Sequence, residues 1–395
     1  MAGQTAVGRS PSNSGAYYIW IAVLGLLALL GFYSFTQQLT QGHQVTGLSD
    51  AAPWGLYISG FVFFVGASAG ATIIGLMIHA FGRQDYAPLG TRAILVGILS
   101  LAAAVLFITV DVGSIPRMIN LPWIWRNPTS MFMYTSLTYY LFGLLLLGEL
   151  YYTIKVTRGT ATNGDKKRAK WLAIAAVPFA LVVVHAPHGA LFAVVKAREF
   201  WNNPLLPPHF AVVALVSGTA IMMLVALVTS ALNGRQLVRR ETLSHMGALL
   251  AFFIALAGFL DFFDWIVFSY SGKSVGNEAW KFLTTTHLPF SALHVGGYIV
   301  AFLILIFARG RGLGWLAVAS VVAIAAVAAY RYNLTTLGVA VPLFGFLPNE
   351  EYVPTWSELS LALGIVAAVM LAYSVLVKVL PLEDQTSPAS RSSPT

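Results

Sequence analysis

Two histidines, His185 and His188, stand three residues apart in "VVVHAPHGALFAVV", a run that is otherwise apolar. On a helix that spacing puts them on one face. Asp261 and Asp264 repeat the spacing, Asp111 stands alone near the end of another apolar run, and tyrosines gather at Tyr134, Tyr139 and Tyr140. Imidazole titrates near neutral pH, and imidazole and phenol both donate and accept hydrogen bonds. Such groups suit hydrogen bonding to the two carbonyls of a quinone, with a His or Asp exchanging the protons that accompany two electrons. The plainer use of any one of them is a hydrogen bond that glues one helix to its neighbour.

What must position these groups is a set of long apolar helices. Of the 395 residues, 57% are hydrophobic and 10% charged, and the mean hydropathy is +0.75. Soluble domains carry about 25% charged residues, so the composition belongs to the membrane class. Stretches at roughly 16–36, 55–80, 92–113, 131–153, 171–195, 210–232, 244–270, 284–308, 313–331 and 356–377 approach or reach the length that crosses a bilayer. Arg309 and Arg331 bracket the short ninth stretch. Runs this uniformly apolar are not barrel strands, which alternate with period two. The expected fold is an all-α polytopic membrane protein of about ten transmembrane helices, two four-helix bundles (helices 2–5 and 6–9) flanked by helices 1 and 10. Its parts are a cytoplasmic N-terminal segment over 1–15, a transmembrane domain over 16–380 and a disordered cytoplasmic tail over 381–395. The opening "MAGQTAVGRSPSNSGAYY" lacks the short apolar core and cleavage site of a signal peptide, so the first helix is expected to stay.

The two bundles are read from a weak parallel repeat. "APWGLYISGFVFFVGASAGAT" and "PPHFAVVALVSGTA" both follow proline and carry a Ser-small-Gly patch, at Ser68 to Gly70 and at Ser217 to Gly218. The next outward helix of each set ends near aspartate, Asp111 in one and Asp261 with Asp264 in the other.

The net charge of +8 is topological. About 16 of the Lys and Arg fall on the N-terminal face and about 7 on the other, which places both termini in the cytoplasm and leaves no case for nucleic-acid binding. Trp, Pro, Asn and carboxylates concentrate in the opposite loops, among them "GLSDAAPWG", "GSIPRMINLPWIWRNPTS" and "KAREFWNNPLLPP". An aromatic belt alone would mark both faces, so a docking platform outside the membrane is expected there. His185 would lie about 16 Å below the outer end of its helix. Asp111, His188, Tyr139, Asp261 and Asp264 share that outer half, whereas Glu149, His79 and His245 lie toward the inner ends. Ionisable groups at such depths cost several kcal/mol, about 2.5–3.5 at a helix centre, which argues for a working site that opens outward.

The chain has no cysteine. That excludes a disulfide framework and an iron–sulfur cluster ligated by its own cysteines. No HExxH or clustered ligand spacing points to a metal. Haem remains open, since His185 and His294 could form a bis-imidazole pair on facing helices. An ion-coupled secondary transporter also remains open; helix breaks at matching positions of the two repeats would support it.

"PWGLYISGFVFFVGASAGA", "DVGSIPRM", "HGALFAVVKAREFWNNPLLPPHFAVVALVSG" and "YVPTWSEL" together resemble the NrfD/PsrC family, the membrane subunits of polysulfide-reductase-type complexes. The likeness covers helices two through ten, and ten helices look like the longer branch. It implies a quinone site in the first bundle near the outer face, holding menaquinone or ubiquinone. It also implies an extracytoplasmic iron–sulfur partner, often followed by a molybdopterin catalytic subunit, in a prokaryotic inner membrane, with no haem, metal or iron–sulfur cluster on this chain. The alternative-complex-III members carry a helix-two His where this chain has Ser68 and a helix-five Asp where it has Leu191, which puts proton pumping by that route in doubt.

The expected role is therefore a quinone-interacting membrane subunit of a respiratory redox complex, exchanging electrons between quinol and that partner. His185, His188 and Tyr139 are candidate ligands of the quinone head, with Ser68 beside them and Trp54 and Arg117 supporting the mouth. Asp111 and His185 are the candidate proton-exchanging groups, and Glu149, Asp261 and Asp264 a possible proton path.

Overall fold

Among the described residues, ten helical stretches are each long and apolar enough to cross a bilayer, and helix is the local structure that answers backbone N–H and C=O groups within its own segment. The computed structural model describes residues 14–113, 129–233, 236–270, 280–308, 312–340 and 352–382. Its spans are Gly15–Val45, Leu56–His79, Gln84–Val112, Met131–Thr157, Asn163–Ala193, Leu206–Leu232, Arg240–Tyr270, Leu288–Phe307, Leu313–Ala340 and Trp356–Val379. No strand occurs among the described residues. The protein is an all-α, multi-pass membrane protein. Arg117, Arg309, most of the 1–15 segment and most of the 381–395 tail lie outside the described residues.

The second to fifth spans close a four-helix bundle, each packed on the next and the fifth returning to the second; the sixth to ninth spans do the same. The first and tenth spans pair along their length, and the tenth leans on the third. Both therefore flank the first bundle. The loop face carries residues 47–55 and 196–208, and the basic face carries 158–170. On the loop face, Glu358 ties the flank to the bundle: it accepts from Gly47 N–H at 2.8 Å, from Thr355 N–H at 2.9 Å and from the Tyr352 hydroxyl at 2.6 Å. The same Tyr352 oxygen accepts from Leu56 N–H at 3.0 Å. Burial, then the charge of Glu358, hold the Tyr352 hydroxyl protonated, its pKa pushed far above the ordinary phenol value.

The bundles meet chiefly along the second and sixth spans. Here the Ser-small-Gly patches lie against each other. A Cβ on Gly70 would strike the Ala214 carbonyl and the Gly218 backbone, and one on Gly218 would strike Gly70 and Ala71. Only hydrogen at both positions permits this approach, in the manner of small-residue crossings within lipid.

Two spans depart from regular helix. The second is interrupted at Thr72, whose hydroxyl bonds back to Ala69 O at 2.6 Å. The fifth passes through a π-helical stretch, Phe179–His185, that follows Pro178. Pro187, which also has no N–H to donate, opens the helix beyond it. The sixth and ninth spans, their counterparts in the repeat, run unbroken. The matching breaks that a transporter of this plan would show are thus not present in the described spans.

The ninth span corrects the expectation for Arg331. The helix continues nine residues beyond it to Ala340, and Arg331 is 1% exposed rather than at a membrane boundary. "YNLTTLGVA" looks like loop by its polar side chains, but the threonines are satisfied within the helix and Asn333 by the eighth span: Thr336 Oγ1 donates to Tyr332 O at 2.7 Å, Thr335 Oγ1 bonds Arg331 O, and Asn333 Nδ2 donates to Ser291 Oγ at 3.2 Å. The "KAREFWNNPLLPP" stretch is tied to the ninth span, because Trp201 is 3% exposed and its Nε1 donates to Leu334 O at 2.7 Å.

Candidate functional site

The π-helical turn delivers His185 and His188 to the inner face of the first bundle, both fully buried. Their ring centroids are 5.9 Å apart and nearly perpendicular. His188 sits in an aromatic box: Phe61 of the second span at 4.9 Å, Tyr139 of the fourth at 5.8 Å, Phe210 of the sixth at 5.8 Å and Phe192 of its own helix at 6.3 Å. Gly66 leaves room for the His185 ring, whose Cε1 and Nε2 would lie 3.3 Å from a Cβ there. Trp54 and Trp201 stack at 4.9 Å on the loop-face side of this cluster, with Phe192 against both. Gly338 admits the Trp201 indole, which a side chain would displace.

His185 Nε2 lies 3.2 Å from Arg331 Nη2. A guanidinium can only donate, so Nε2 is the acceptor and neutral His185 carries its proton on Nδ1. That Nδ1, both ring nitrogens of His188 and the Tyr139 hydroxyl have no hydrogen-bond partner among protein groups. Buried polar atoms are nearly always paired, so three such side chains at one level constitute a set of donors and acceptors ready for a ligand. An apolar groove of about 360 Å³ runs along the opposite side of the fifth span, lined by Met131, Tyr134, Val182, Ala186, Pro187, Ala190 and Pro207.

The other expected residues are distributed around this cluster. Ser68 is fully buried, but its hydroxyl donates to Gly97 O at 2.6 Å and so joins the second span to the third. Asp111 belongs to a separate polar cluster against the first span. There Tyr57 donates to Gln38 Oε1 at 2.9 Å, Gln38 donates to Val110 O at 2.8 Å, and Asp111 Oδ1 is buried without a partner. Glu149 is buried toward the basic face, beside Gly75 and the fifth span. Asp264 receives a hydrogen bond from Asn203 and thereby anchors the 196–208 connection.

Asp261 centres a second cluster, in the second bundle. His209 Nε2 lies 3.3 Å from one of its oxygens and His294 Nε2 3.2 Å from the other. These are ion-pair distances, although neither N–H aims squarely at its oxygen. Tyr330 OH reaches His209 Nδ1 at 3.2 Å. The pair considered for haem, His185 with His294, therefore has its Nε2 atoms facing Arg331 and Asp261.

Arg331, His209, Tyr330, Phe210 and Trp201 had no part in the expected site. His209 could have been noticed, since "LPPHF" opens an apolar run with a lone imidazole. Arg331 carried a signal only to a reader who extended the ninth helix through its threonines.

Residues 44–342 match the family model described as polysulphide reductase, NrfD. The chain belongs to this family. Among curated relatives, it is 26% identical to a selenate reductase subunit of Mesobacillus selenatarsenatis, over 92% of this chain and 94% of that one. It is also 26% identical to the Hdr-like menaquinol oxidoreductase integral membrane subunit of Archaeoglobus fulgidus, over 94% of both. The integral membrane subunit of a menaquinone reductase from Nitratidesulfovibrio vulgaris is 22% identical over 95% of this chain and 94% of its own. Membership of a family does not by itself fix the chemistry, which resides in particular side chains.

Proposed function

We propose that this chain is the quinone-reactive membrane subunit of a respiratory redox complex. It exchanges electrons between membrane quinol, menaquinol or ubiquinol, and an iron–sulfur protein docked on the loop face, behind which a further catalytic subunit stands. The observation that carries this reading is the set of buried, unpartnered polar atoms on His185, His188 and Tyr139. They fit a quinone head, which needs donors for two carbonyls in a largely apolar chamber. A bound quinone supplies the two-electron, two-proton chemistry. His185 offers its Nδ1–H as a donor, His188 can donate from one nitrogen and accept at the other, and the Tyr139 hydroxyl orients against the same head. The Trp54–Trp201 stack keeps water from the loop face out of the chamber. The names of two relatives, a menaquinol oxidoreductase membrane subunit and a menaquinone reductase membrane subunit, favour the same class.

Protons released on quinol oxidation leave toward the loop face, where Asp111 is the acceptor. Glu149 serves the basic face, and Asp261 with Asp264 the second bundle. Both termini lie in the cytoplasm of a prokaryotic inner membrane, in keeping with the basic 158–170 connection. The test is quinol-driven reduction of the partner's cluster by the complex in nanodiscs. His185→Ala and His188→Ala are each expected to lower turnover by at least about tenfold while membrane insertion is retained. Unchanged turnover in both, or insensitivity to quinone analogues, would sink the reading.

A further inference from the structure

Among the described residues, Arg331 is a fully buried guanidinium whose partners leave most of it unanswered. It sits where the bundles meet, on the ninth span, with its Cζ 4.1 Å from the Phe210 ring centre and 5.2 Å from that of Tyr330. One nitrogen, Nη2, reaches His185 Nε2 at 3.2 Å and the Phe210 carbonyl at 3.5 Å. Nε and Nη1 are buried and have no partner. Among the described residues no carboxylate lies within ion-pair distance of it. A guanidinium stays charged at any working pH, and a buried charge without a counter-ion costs several kcal/mol.

Every neighbouring element contributes groups that face it. From the fifth span come His185 and His188, the latter without any protein hydrogen bond. From the sixth comes His209, whose two nitrogens face Tyr330 and Asp261. The eighth span brings Tyr298, whose hydroxyl is buried and unpartnered. The negative charge of Asp261 is flanked by His209 and His294, and Asp264 is bonded by Asn203. The field in the histidine chamber is accordingly positive and originates on one residue.

The geometry points to Arg331 as a specificity-determining residue that makes the chamber prefer the anionic, deprotonated form of a ligand head to its neutral form. This rests on the quinone reading above and deepens it: loss of the first proton from a bound quinol leaves an anion, and Arg331 stabilises that anion across His185. Arg331 acts on the ligand partly through the imidazole whose tautomer it fixes, and partly through its charge.

The full chain in lipid nanodiscs tests this with two probes of one shape. One is a 2-hydroxy-1,4-naphthoquinone bearing an apolar tail, anionic at neutral pH; the other is its neutral 2-methoxy counterpart. Arg331→Gln is expected to weaken the hydroxy probe by about 10–100-fold, the scale of one lost charge–charge attraction across an imidazole ring. The methoxy probe should change by less than about threefold, and Arg331→Lys should regain most of the lost affinity. In the unaltered chain, the preference for the hydroxy probe should vanish as pH falls below that probe's own ionisation, a result that needs no variant to fold. Equal losses for the two probes, an unchanged hydroxy affinity in Arg331→Gln, or a preference that persists at low pH would each overturn the assignment. If the unaltered chain binds neither probe, the quinone reading itself fails and this inference with it.

Discussion

Tyr139 shows how a side chain can matter to function while contributing little to the fold. Its hydroxyl has no protein partner, so Tyr139→Phe removes no native hydrogen bond and should leave the melting temperature in detergent unchanged. Analogue affinity should drop by about 2- to 12-fold, the worth of one neutral hydrogen bond; an unaltered affinity would remove Tyr139 from the ligand's contacts. Trp201 is the opposite case. Trp201→Phe keeps an aromatic ring, a smaller one, but loses the bond to Leu334 O, about 1 kcal/mol, whereas Trp201→Ala should cost about 3–5 kcal/mol and open the chamber. Thermal melts beside turnover assays separate the two effects. His185, His188 and Tyr139 were legible because a polar group in an apolar run needs a reason wherever it falls. Arg331 and His209 were not, since each lies near a helix end in the sequence, where a polar residue is ordinarily spent on the interface. Their burial comes from neighbours far away in the chain: Arg331 meets His185 and Phe210, which belong to other spans.

At the level of the helix, hydropathy located all ten spans among the described residues and misjudged several of their ends by four or more residues. The fifth begins at Asn163, eight residues before its apolar run, because Thr162 and Asp165 form a capping box that starts the helix in polar sequence. The sixth starts at Leu206 rather than 210, and the ninth extends to Ala340. No periodicity argument foresees the π-helical turn before His185; Pro178 marks only where trouble could begin. The Ser-small-Gly patches were legible as packing motifs, and the surface each one packs on was not. The backbone contact between Gly70 and Gly218 makes a sharp prediction. Gly70→Val or Gly218→Val should destabilise the protein by about 1–3 kcal/mol through forced separation of the bundles. Gly258→Ala, where nothing lies within 4 Å, should be neutral or mildly stabilising. Comparable melts for Gly70→Val and Gly258→Ala would show that the crossing is not tight.

For the molecule as a whole, membrane class and the two-bundle plan could be read from composition, run length and the offset between like motifs, since bilayer thickness leaves few alternatives. That helices 1 and 10 flank the bundles was read there too, but their packing on each other was not, because it joins residues more than 300 apart, as in the bond between Ser34 and Ser360 at 2.6 Å. Orientation is open to direct test because the chain has no cysteine of its own. Asp50→Cys and Arg158→Cys are exposed positions on opposite faces. A membrane-impermeant maleimide applied to intact spheroplasts should label the first and reach the second only after permeabilisation. The reverse pattern would put the loop face in the cytoplasm and exclude an extracytoplasmic partner there. The seam at Gly70 and Gly218 has a consequence beyond packing. Equivalent positions of two like halves touch each other there, as in an isologous dimer whose protomers happen to share one chain. Covalent continuity is then dispensable for assembly: fragments 1–196 and 197–395, expressed together, should find one another in the membrane and co-purify, whereas Gly218→Val in the second fragment should weaken the pairing and leave it to the contact of the first and tenth spans.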